Sequence, residues 1–356
     1  MKLQNLRKAP NSDFLIIMKR NALEKDIKSV IRKIETSGLK ADVSVGESRV
    51  VIGIIGDESK IDFDQLRAMR GVSRALHITV PYKLMSREYI QDDISVKAGR
   101  LEIGKNKPIY IAGPCSIESR EQIFRIAKQV KEAGADILRG GAFKPRTSVH
   151  SFQGLGLSGL QYLYEAGKEF DMPTITEVRS QTDVEIVSKY SDILQIGARN
   201  MFNQDLIESV ARQGKPVLFK RGPSSQIDEY LSFGERIVAE GNRKIILCER
   251  GIVPLGGSFP SKTRNTLDMS AVPILKKETP FPVIVDPSHG TGRRDLIYPM
   301  SMAAIASGAD GLMIEVHDRP EEALSDGAQA IKPKLLGKLI NDSNELYKLL
   351  RKLNNK

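Results

Sequence analysis

A repeating pattern in residues 108–342 constrains the fold of this 356-residue chain more than any other feature. A short apolar segment, a charged or glycine-rich end and an amphipathic helical pattern recur there every 19 to 38 residues. Eight such units predict an α/β fold, a (β/α)8 TIM barrel of parallel strands. A doubly wound open sheet is the alternative, but it would more often stop at five or six strands and carry a phosphate loop after the first. The strand candidates are 109–112, 137–139, 174–177, 193–196, 217–220, 245–248, 283–286 and 312–316.

The first eighty residues predict a separate small α+β domain. Strand patterns at 14–18, 41–45, 49–55 and 72–80 and helical patterns at 22–37 and 63–69 follow the order β-α-β-β-α-β, which is ferredoxin-like. The RNA-binding form of this topology would carry aromatic residues on its central strands, but the second central strand has none. We therefore expect a regulatory or interaction domain. The predicted domains are 1–80 (ferredoxin-like), 81–107 (a connector with a small hairpin) and 108–356 (the catalytic barrel, which ends in a closing helix).

Composition and charge exclude several classes of protein. The apolar runs are much shorter than the roughly 20 residues of a membrane helix, and the N-terminus has no signal-peptide block. We expect a cytoplasmic protein, and its two cysteines, Cys115 and Cys248, fit a reducing compartment. The formal net charge of +10 favours anionic partners. Because many Lys and Arg residues follow predicted strands rather than forming a patch with aromatics, we expect small phosphorylated anions and no nucleic acid.

Four residues at the predicted strand ends have the chemistry of a metal site. Cys115, His289 and Glu315 follow the first, seventh and eighth strands, which are neighbours in a closed barrel, and Asp326 comes shortly afterwards. His289 lies in a predicted loop between its strand and a helix that starts near residue 295. This mixed set suits Mn²⁺, Fe²⁺, Co²⁺ or Zn²⁺ with a position left open for substrate. Taken singly, each residue also has an ordinary structural explanation, and only their convergence favours a metal.

The cations at the strand ends predict an anion pocket. So many positive charges on one small rim would repel one another unless anions lay between them, and their number suggests two phosphorylated substrates, one of which also carries a carboxylate. Some of these cations are expected to pair instead with Glu177, Glu249 or Asp286. The cations are Arg139, Lys144, Arg146, Arg199, Lys220, Arg221 and Arg250.

The same residues resemble a known family, 3-deoxy-D-arabino-heptulosonate 7-phosphate (DAHP) synthase. The resemblance covers the whole barrel, and the small domain is similar to the ferredoxin-like regulatory domain of one microbial branch of the family. It rests on Gly-Pro-Cys-Ser at 113–116, Lys-Pro-Arg-Thr-Ser at 144–148, Gln-Ile-Gly-Ala-Arg at 195–199, Cys-Glu-Arg-Gly at 248–251 and Asp-Pro-Ser-His at 286–289.

This resemblance implies an aldol-like condensation of phosphoenolpyruvate with erythrose 4-phosphate at the entry to the shikimate pathway. It implies that the divalent metal is held by Cys115, His289, Glu315 and Asp326. Lys144 is expected to transfer a proton or to act only electrostatically. The substrate-binding residues implied are Arg139 and Lys144 for the phosphoenolpyruvate carboxylate side, Arg199, Lys220, Arg250 and the Ala198 backbone for its phosphate, and Arg146 and Thr147 for the erythrose 4-phosphate phosphate.

Two alternative functions remain open at this point. The sister enzyme, KDO 8-phosphate synthase, uses arabinose 5-phosphate, but it resembles this barrel with Asn where this chain has Pro145. A non-catalytic ligand sensor would have no need of the complete set of candidate ligands and cations. The resemblance further implies feedback by Phe or Tyr through the small domain, and a homo-oligomer, expected to be a tetramer.

Overall fold

The computed structural model describes residues 14–45, 50–77, 80–144, 152–254 and 262–354. In its small domain, four antiparallel strands form one sheet in the order β2-β3-β1-β4. Two helices cover one face of this sheet, where Val30 and Ile34 of the first helix pack against Ile16 and Ile52. The ferredoxin-like prediction is confirmed. The elements are β1 Phe14–Met18, α1 Glu24–Thr36, β2 Lys40–Val45, β3 Val50–Ile55, α2 Phe63–Ala68 and β4 Val72–His77.

A hairpin in the connector closes the amino-terminal end of the barrel. Its strands are β5 Val96–Ala98 and β6 Leu101–Ile103, which pair antiparallel. Val96 and Ile103 are buried in one cluster with Ile284 and the other side chains that fill the barrel interior. This end of the barrel is therefore sealed by apolar packing, which leaves the carboxyl ends of the strands as the face for a site.

In the described residues, eight parallel strands close into a barrel in the order β10-β11-β12-β13-β14-β7-β8-β9, as predicted. Alternate residues such as Ile111, Leu218 and Ile246 fill its interior, and their neighbours pack outward against the helices. The elements are β7 Ile109–Gly113, α3 Arg120–Glu132, β8 Ile137–Arg139, α4 Leu157–Glu169, β9 Thr174–Val178, α5 Val184–Tyr190, β10 Ile193–Ile196, α6 Gln204–Ala211, β11 Val217–Lys220, α7 Ile227–Ala239, β12 Ile245–Glu249, α8 Ala271–Glu278, β13 Val283–Val285, α9 Pro287–Thr291, α10 Arg294–Ala306, β14 Gly311–Glu315 and α11 Pro333–Asn354.

The second face of the small-domain sheet lies on the connector. Leu15 and Ile17 of β1 are buried there in a cluster that includes Tyr89. The connector itself is bound to the segment that precedes β13, because the Arg87 backbone N–H donates to the Glu278 carbonyl over 2.8 Å. That segment is at the amino-terminal end of the barrel. The small domain thus lies away from the carboxyl ends of the strands.

A search of the described helices for a stretch long and apolar enough to cross a membrane finds none.

Candidate active site

The carboxyl ends of the barrel strands surround one strongly cationic cleft. Five of the predicted cations line it, and so do His289 and Asp326 from the predicted metal site. The closed barrel brings these residues together although they are separated by up to 187 positions in the chain (326 − 139). The residues that line the cleft are Arg139, Lys144, Glu177, Gln195, Gly197, Ala198, Arg199, Lys220, Arg250, Arg264, His289 and Asp326.

Three of the four predicted metal ligands lie together. The Sγ atom of Cys115 and carboxylate oxygens of Glu315 and Asp326 are all within 4.8 Å of one another. Strands β7 and β14 are paired, so Cys115 comes next to Glu315, and the loop after β14 brings Asp326 back to them. The thiol donates to Oδ2 of Asp326 over 3.3 Å. A thiolate with two carboxylates is a donor set that borderline divalent ions accept.

Gly113 allows this close approach of strands at the site. A Cβ atom at this position would lie 2.1 Å from the carbonyl oxygen of Arg139 on the neighbouring strand β8. Any other residue would separate β7 from β8 and move Cys115, which follows two residues later.

Burial controls the ionisation of the Cys115 thiol. Burial, helped by the adjacent Glu315 carboxylate, raises the pKa of Cys115 to about 12. The Lys144 ammonium opposes this shift, because its Nζ atom lies 3.2 Å from Sγ. The thiol therefore keeps its proton at neutral pH, and binding of a divalent cation through the thiolate would release it.

His289 is placed by a short helix where a loop was predicted. Asp286 caps helix α9, since its side chain accepts the backbone N–H of His289 over 2.9 Å, and Pro287 occupies the first helical position. The prediction of a loop was wrong because this cap starts a helix too short to show a helical period. His289 Nε2 lies 3.3 Å from Oε1 of Glu315. It therefore stands at the edge of the group formed by the other three candidate ligands.

The buried carboxylate of Asp286 orients the imidazole of His289. Its Nδ1 atom is 2.8 Å from Oδ2 of Asp286, which also pairs with the Lys220 ammonium. Burial alone would favour the protonated acid, but the contacts with His289 and with the Lys220 ammonium hold the pKa of Asp286 well below its usual range. Burial also lowers the pKa of His289, against the pull of Asp286. A neutral imidazole whose Nδ1 faces a carboxylate presents Nε2 as a ligand.

Glu315 is fully buried and is held on both oxygens. Arg139 Nη1 donates to Oε1 over 2.7 Å, and Gln329 Nε2 donates to Oε2 over 2.7 Å. Its backbone N–H donates to the Ser288 hydroxyl over 2.9 Å. Burial favours the neutral acid, but the contacts with His289 and with the Arg139 guanidinium outweigh it and hold the pKa of Glu315 well below its usual range. The group is therefore an ionised carboxylate.

The predicted pairing of cations with carboxylates is correct for two of them. Lys220 pairs with Asp286 inside the barrel mouth, and Arg221 pairs with Glu249 over 3.0 Å. Arg221 also contacts Asp268 over 2.9 Å, in the layer between barrel and helices. The prediction that Arg221 belongs to the anion pocket was wrong, because consecutive strand residues point to opposite faces and Lys220 points inward.

Gly197 lets the Glu177 carboxylate lie against the wall formed by β9 and β10. A Cβ atom at position 197 would lie 1.9 Å from Oε1 of Glu177, so a larger residue would displace this carboxylate. Ala198 and Arg199 follow in a single turn of 3-10 helix at the rim. Their position beside Lys220 and Arg250 gives this side of the cleft three cations next to a turn of backbone, an arrangement suited to binding an anion.

Two predicted substrate-binding residues, Arg146 and Thr147, lie outside the described residues.

Two residues of the candidate site, Arg264 and Gln329, were not predicted from the sequence. Arg264 lines the cleft from the long connection between β12 and α8, and Gln329 contacts Glu315 from the loop after Asp326. Neither residue follows a strand, so strand-end positions did not point to them. Their only sequence signal is their place within the two loops that follow β12 and β14.

Comparisons with known proteins identify the family of this chain. The DAHP synthetase I family profile matches residues 89–352, and the profile of the DAHP synthase ferredoxin-like domain matches residues 15–80. The phospho-2-dehydro-3-deoxyheptonate aldolase of Thermotoga maritima is 46% identical over 332 residues, which cover 93% of this chain and 97% of the relative. The 2-dehydro-3-deoxyphosphooctonate aldolase of Geotalea uraniireducens is 33% identical over 68% of this chain and 96% of its own length.

Solved structures give the same result. The crystal structure of the Thermotoga maritima phospho-2-dehydro-3-deoxyheptonate aldolase (DAHP synthase) superposes with a TM-score of 0.75 at 45% identity, and the match covers 95% of this chain and 98% of the other. A truncated form of the Thermotoga maritima synthase superposes with a TM-score of 0.70 at 45% identity over 76% of this chain and 98% of its own.

Proposed function

The chain belongs to the DAHP synthetase I family, and from that premise we propose that it condenses phosphoenolpyruvate with erythrose 4-phosphate and water to give DAHP and phosphate. The observation that carries this proposal is a cleft in which five predicted cations face a group of metal-ligand side chains. Two anionic substrates would repel each other in water, and such a cationic cleft holds them face to face.

The residues present fit a divalent metal ion. Cys115, Glu315 and Asp326 bring one thiol and two carboxylates to one point, with His289 beside Glu315. A bound divalent ion would supply Lewis acidity toward the aldehyde oxygen of the sugar. Mn²⁺, Fe²⁺, Co²⁺ and Zn²⁺ all accept this donor set.

Different cations of the cleft would bind the phosphate and the carboxylate of phosphoenolpyruvate. Arg199, Lys220 and Arg250 with the Ala198 backbone would bind its phosphate, because they share the β10–β12 side of the cleft. Arg139 and Lys144, on the side of Cys115 and Glu315, would face its carboxylate.

The bond changes in the reaction are simple. A C–C bond forms between C3 of phosphoenolpyruvate and C1 of erythrose 4-phosphate, whose aldehyde oxygen takes a proton and becomes a hydroxyl. Water then adds at C2, and the bond from C2 to the phosphate oxygen breaks; one proton of the water leaves with the phosphate, and the other replaces the proton given to the aldehyde oxygen. Lys144 would deliver that proton, because its Nζ atom lies 3.2 Å from Sγ of Cys115 in the cleft. A purely electrostatic role for Lys144 is the alternative.

The choice of sugar tests this function. With Mn²⁺ present, phosphate release from phosphoenolpyruvate is expected to be at least about 100-fold faster with erythrose 4-phosphate than with arabinose 5-phosphate, because a site shaped for one aldose rejects a longer one. The measurement is phosphate release with each sugar at equal concentrations, with mass analysis of the product. A preference for arabinose 5-phosphate would assign the 2-dehydro-3-deoxyphosphooctonate reaction instead, and turnover with neither sugar would favour a sensor.

We also propose that the small domain mediates feedback by phenylalanine or tyrosine. It lies on the connector at the amino-terminal end of the barrel, whereas the described side chains of the candidate site lie at the carboxyl ends of the strands. A chain lacking residues 1–80 is therefore expected to keep turnover within about threefold and to lose inhibition by either amino acid. Initial rates of both forms, with and without each amino acid, measure this.

Inhibition that persists in the shortened chain would place the effector on the barrel. The truncated Thermotoga maritima synthase, which matches 76% of this chain, supports the expectation that the barrel folds without the domain. The tetramer remains a prediction, and the molar mass in solution would test it.

A further inference from the structure

Gln329 connects two of the candidate metal ligands. It ends the 3-10 turn Gly327–Gln329, which directly follows Asp326, and it is only 3% exposed. Its Nε2 atom donates to Oε2 of Glu315 over 2.7 Å, and its backbone N–H donates to the Asp326 carbonyl over 3.1 Å. One residue thus contacts both carboxylate ligands, one through its side chain and the other through its backbone.

The orientation of the Gln329 amide is fixed by its partners. Its oxygen accepts a hydrogen bond from Nη1 of Arg264 over 3.0 Å. Since a guanidinium only donates hydrogen bonds, the amide oxygen must face Arg264 and the NH₂ group must face Glu315. The same Nη1 atom lies 3.7 Å from Oδ2 of Asp326, so Arg264 contacts both Gln329 and this second candidate ligand.

A neutral donor at this position has a specific consequence for a metal site. Glu315 already receives one positive charge from Arg139, which competes with a cation for Oε1. Gln329 fixes the rotation of the carboxylate through Oε2 without adding a second charge. The carboxylate is therefore held in place while keeping its attraction for a divalent ion.

Asp326 needs such support because its backbone is strained. It has a φ of +51°, in the left-handed region that residues other than glycine rarely adopt. The Gln329 side chain acts on Asp326 through Arg264, whose Nη1 atom donates to the Gln329 amide oxygen and lies 3.7 Å from Oδ2 of Asp326.

We propose that Gln329 is a positioning residue of the metal site, which holds Glu315 and Asp326 in one fixed arrangement. This inference rests on the metal dependence within the proposed function. Replacing Gln329 with methionine keeps the volume and removes both amide contacts, so Mn²⁺ affinity is expected to fall about 10–100-fold. Saturating Mn²⁺ should restore most of the turnover, and KM for phosphoenolpyruvate should change little.

The test is a titration of the metal-stripped protein with Mn²⁺, in which electron paramagnetic resonance measures the concentration of free Mn²⁺. Gln329→Asn is the second variant, because it keeps the amide but cannot reach Glu315, and it is expected to weaken binding similarly. The matched control is Asn242→Leu. This buried amide bonds the Lys215 carbonyl at the amino-terminal end of the barrel, so its loss should lower thermal stability and leave Mn²⁺ affinity unchanged.

The outcomes separate this inference from the proposed function. If wild type binds no Mn²⁺, the proposed metal site and the role of Gln329 are both overturned. If wild type, Gln329→Met and Gln329→Asn bind Mn²⁺ equally, only the positioning role is overturned. The visible absorption bands of the Co²⁺-loaded proteins, which report ligand geometry, should shift in the Gln329 variants and not in Asn242→Leu.

Discussion

Replacing Cys115 with alanine is expected to lower turnover by at least about 10³-fold. The thiolate is the softest donor of the candidate metal site, and its loss leaves two carboxylates and one imidazole around the ion. A Lewis acid contributes several kcal/mol to a reaction of this kind, and each 1.36 kcal/mol corresponds to a factor of about ten in rate. Mn²⁺ binding and phosphate release by the variant, measured together, check this expectation.

The second cysteine supplies the matched control. Cys248 is fully buried in the apolar interior of the barrel, among Ile246 and Ile284. Cys248→Ala should lower stability by about 1–2 kcal/mol through lost packing and leave Mn²⁺ affinity unchanged. A Cys115→Ala protein that binds Mn²⁺ as tightly as wild type would remove Cys115 from the ligand set.

Arg139→Met is expected to produce the largest loss of stability in the metal-free protein. The substitution leaves the fully buried Glu315 carboxylate without its ion pair, and breaking a buried pair in this way costs about 3–5 kcal/mol. In a barrel of this size that corresponds to a fall of about 10 °C in Tm. Mn²⁺ should recover more of the Tm in this variant than in wild type, because the ion neutralises the carboxylate that Arg139 no longer pairs.

Calorimetry of each protein with and without Mn²⁺ measures these shifts. The matched control is Arg120→Met, whose partner Glu165 lies with it on the surface, where an ion pair contributes at most about 1 kcal/mol. An equal loss of Tm in Arg139→Met and Arg120→Met would show that the buried pair between Arg139 and Glu315 stabilises the protein no more than a surface ion pair does. Turnover should fall in Arg139→Met alone, since Arg139 lines the cleft and is proposed to bind the phosphoenolpyruvate carboxylate.

Much of the fold was predictable from the sequence because the apolar segments that form the barrel strands recur in a regular pattern. Each strand of the barrel is a short apolar run that ends at, or is directly followed by, a charged or glycine residue, and β13 and β14 lie within one residue of their predicted bounds. The ends of parallel strands meet at one rim, so Cys115 and Glu315 were expected to be neighbours and they are.

The errors have physical causes that lie beyond this pattern. Helix α9 is set by one cap, Asp286, and by Pro287, so it shows no period. The side chain of Lys220 points into the barrel and that of Arg221 points outward, because successive side chains alternate along a strand. A prediction based only on position at a strand end does not distinguish these two directions. Gln329 belongs to a loop whose path is set by tertiary contacts rather than by local residue preferences.

The most direct test of the account is phosphate release from phosphoenolpyruvate and erythrose 4-phosphate by metal-stripped protein as Mn²⁺ is added. We expect no turnover without metal and a saturable rise that ends at one Mn²⁺ per chain, because Cys115, Glu315 and Asp326 form one group of candidate ligands. Turnover of the metal-stripped protein at its full rate, unchanged by Mn²⁺ or by a chelator, would contradict it.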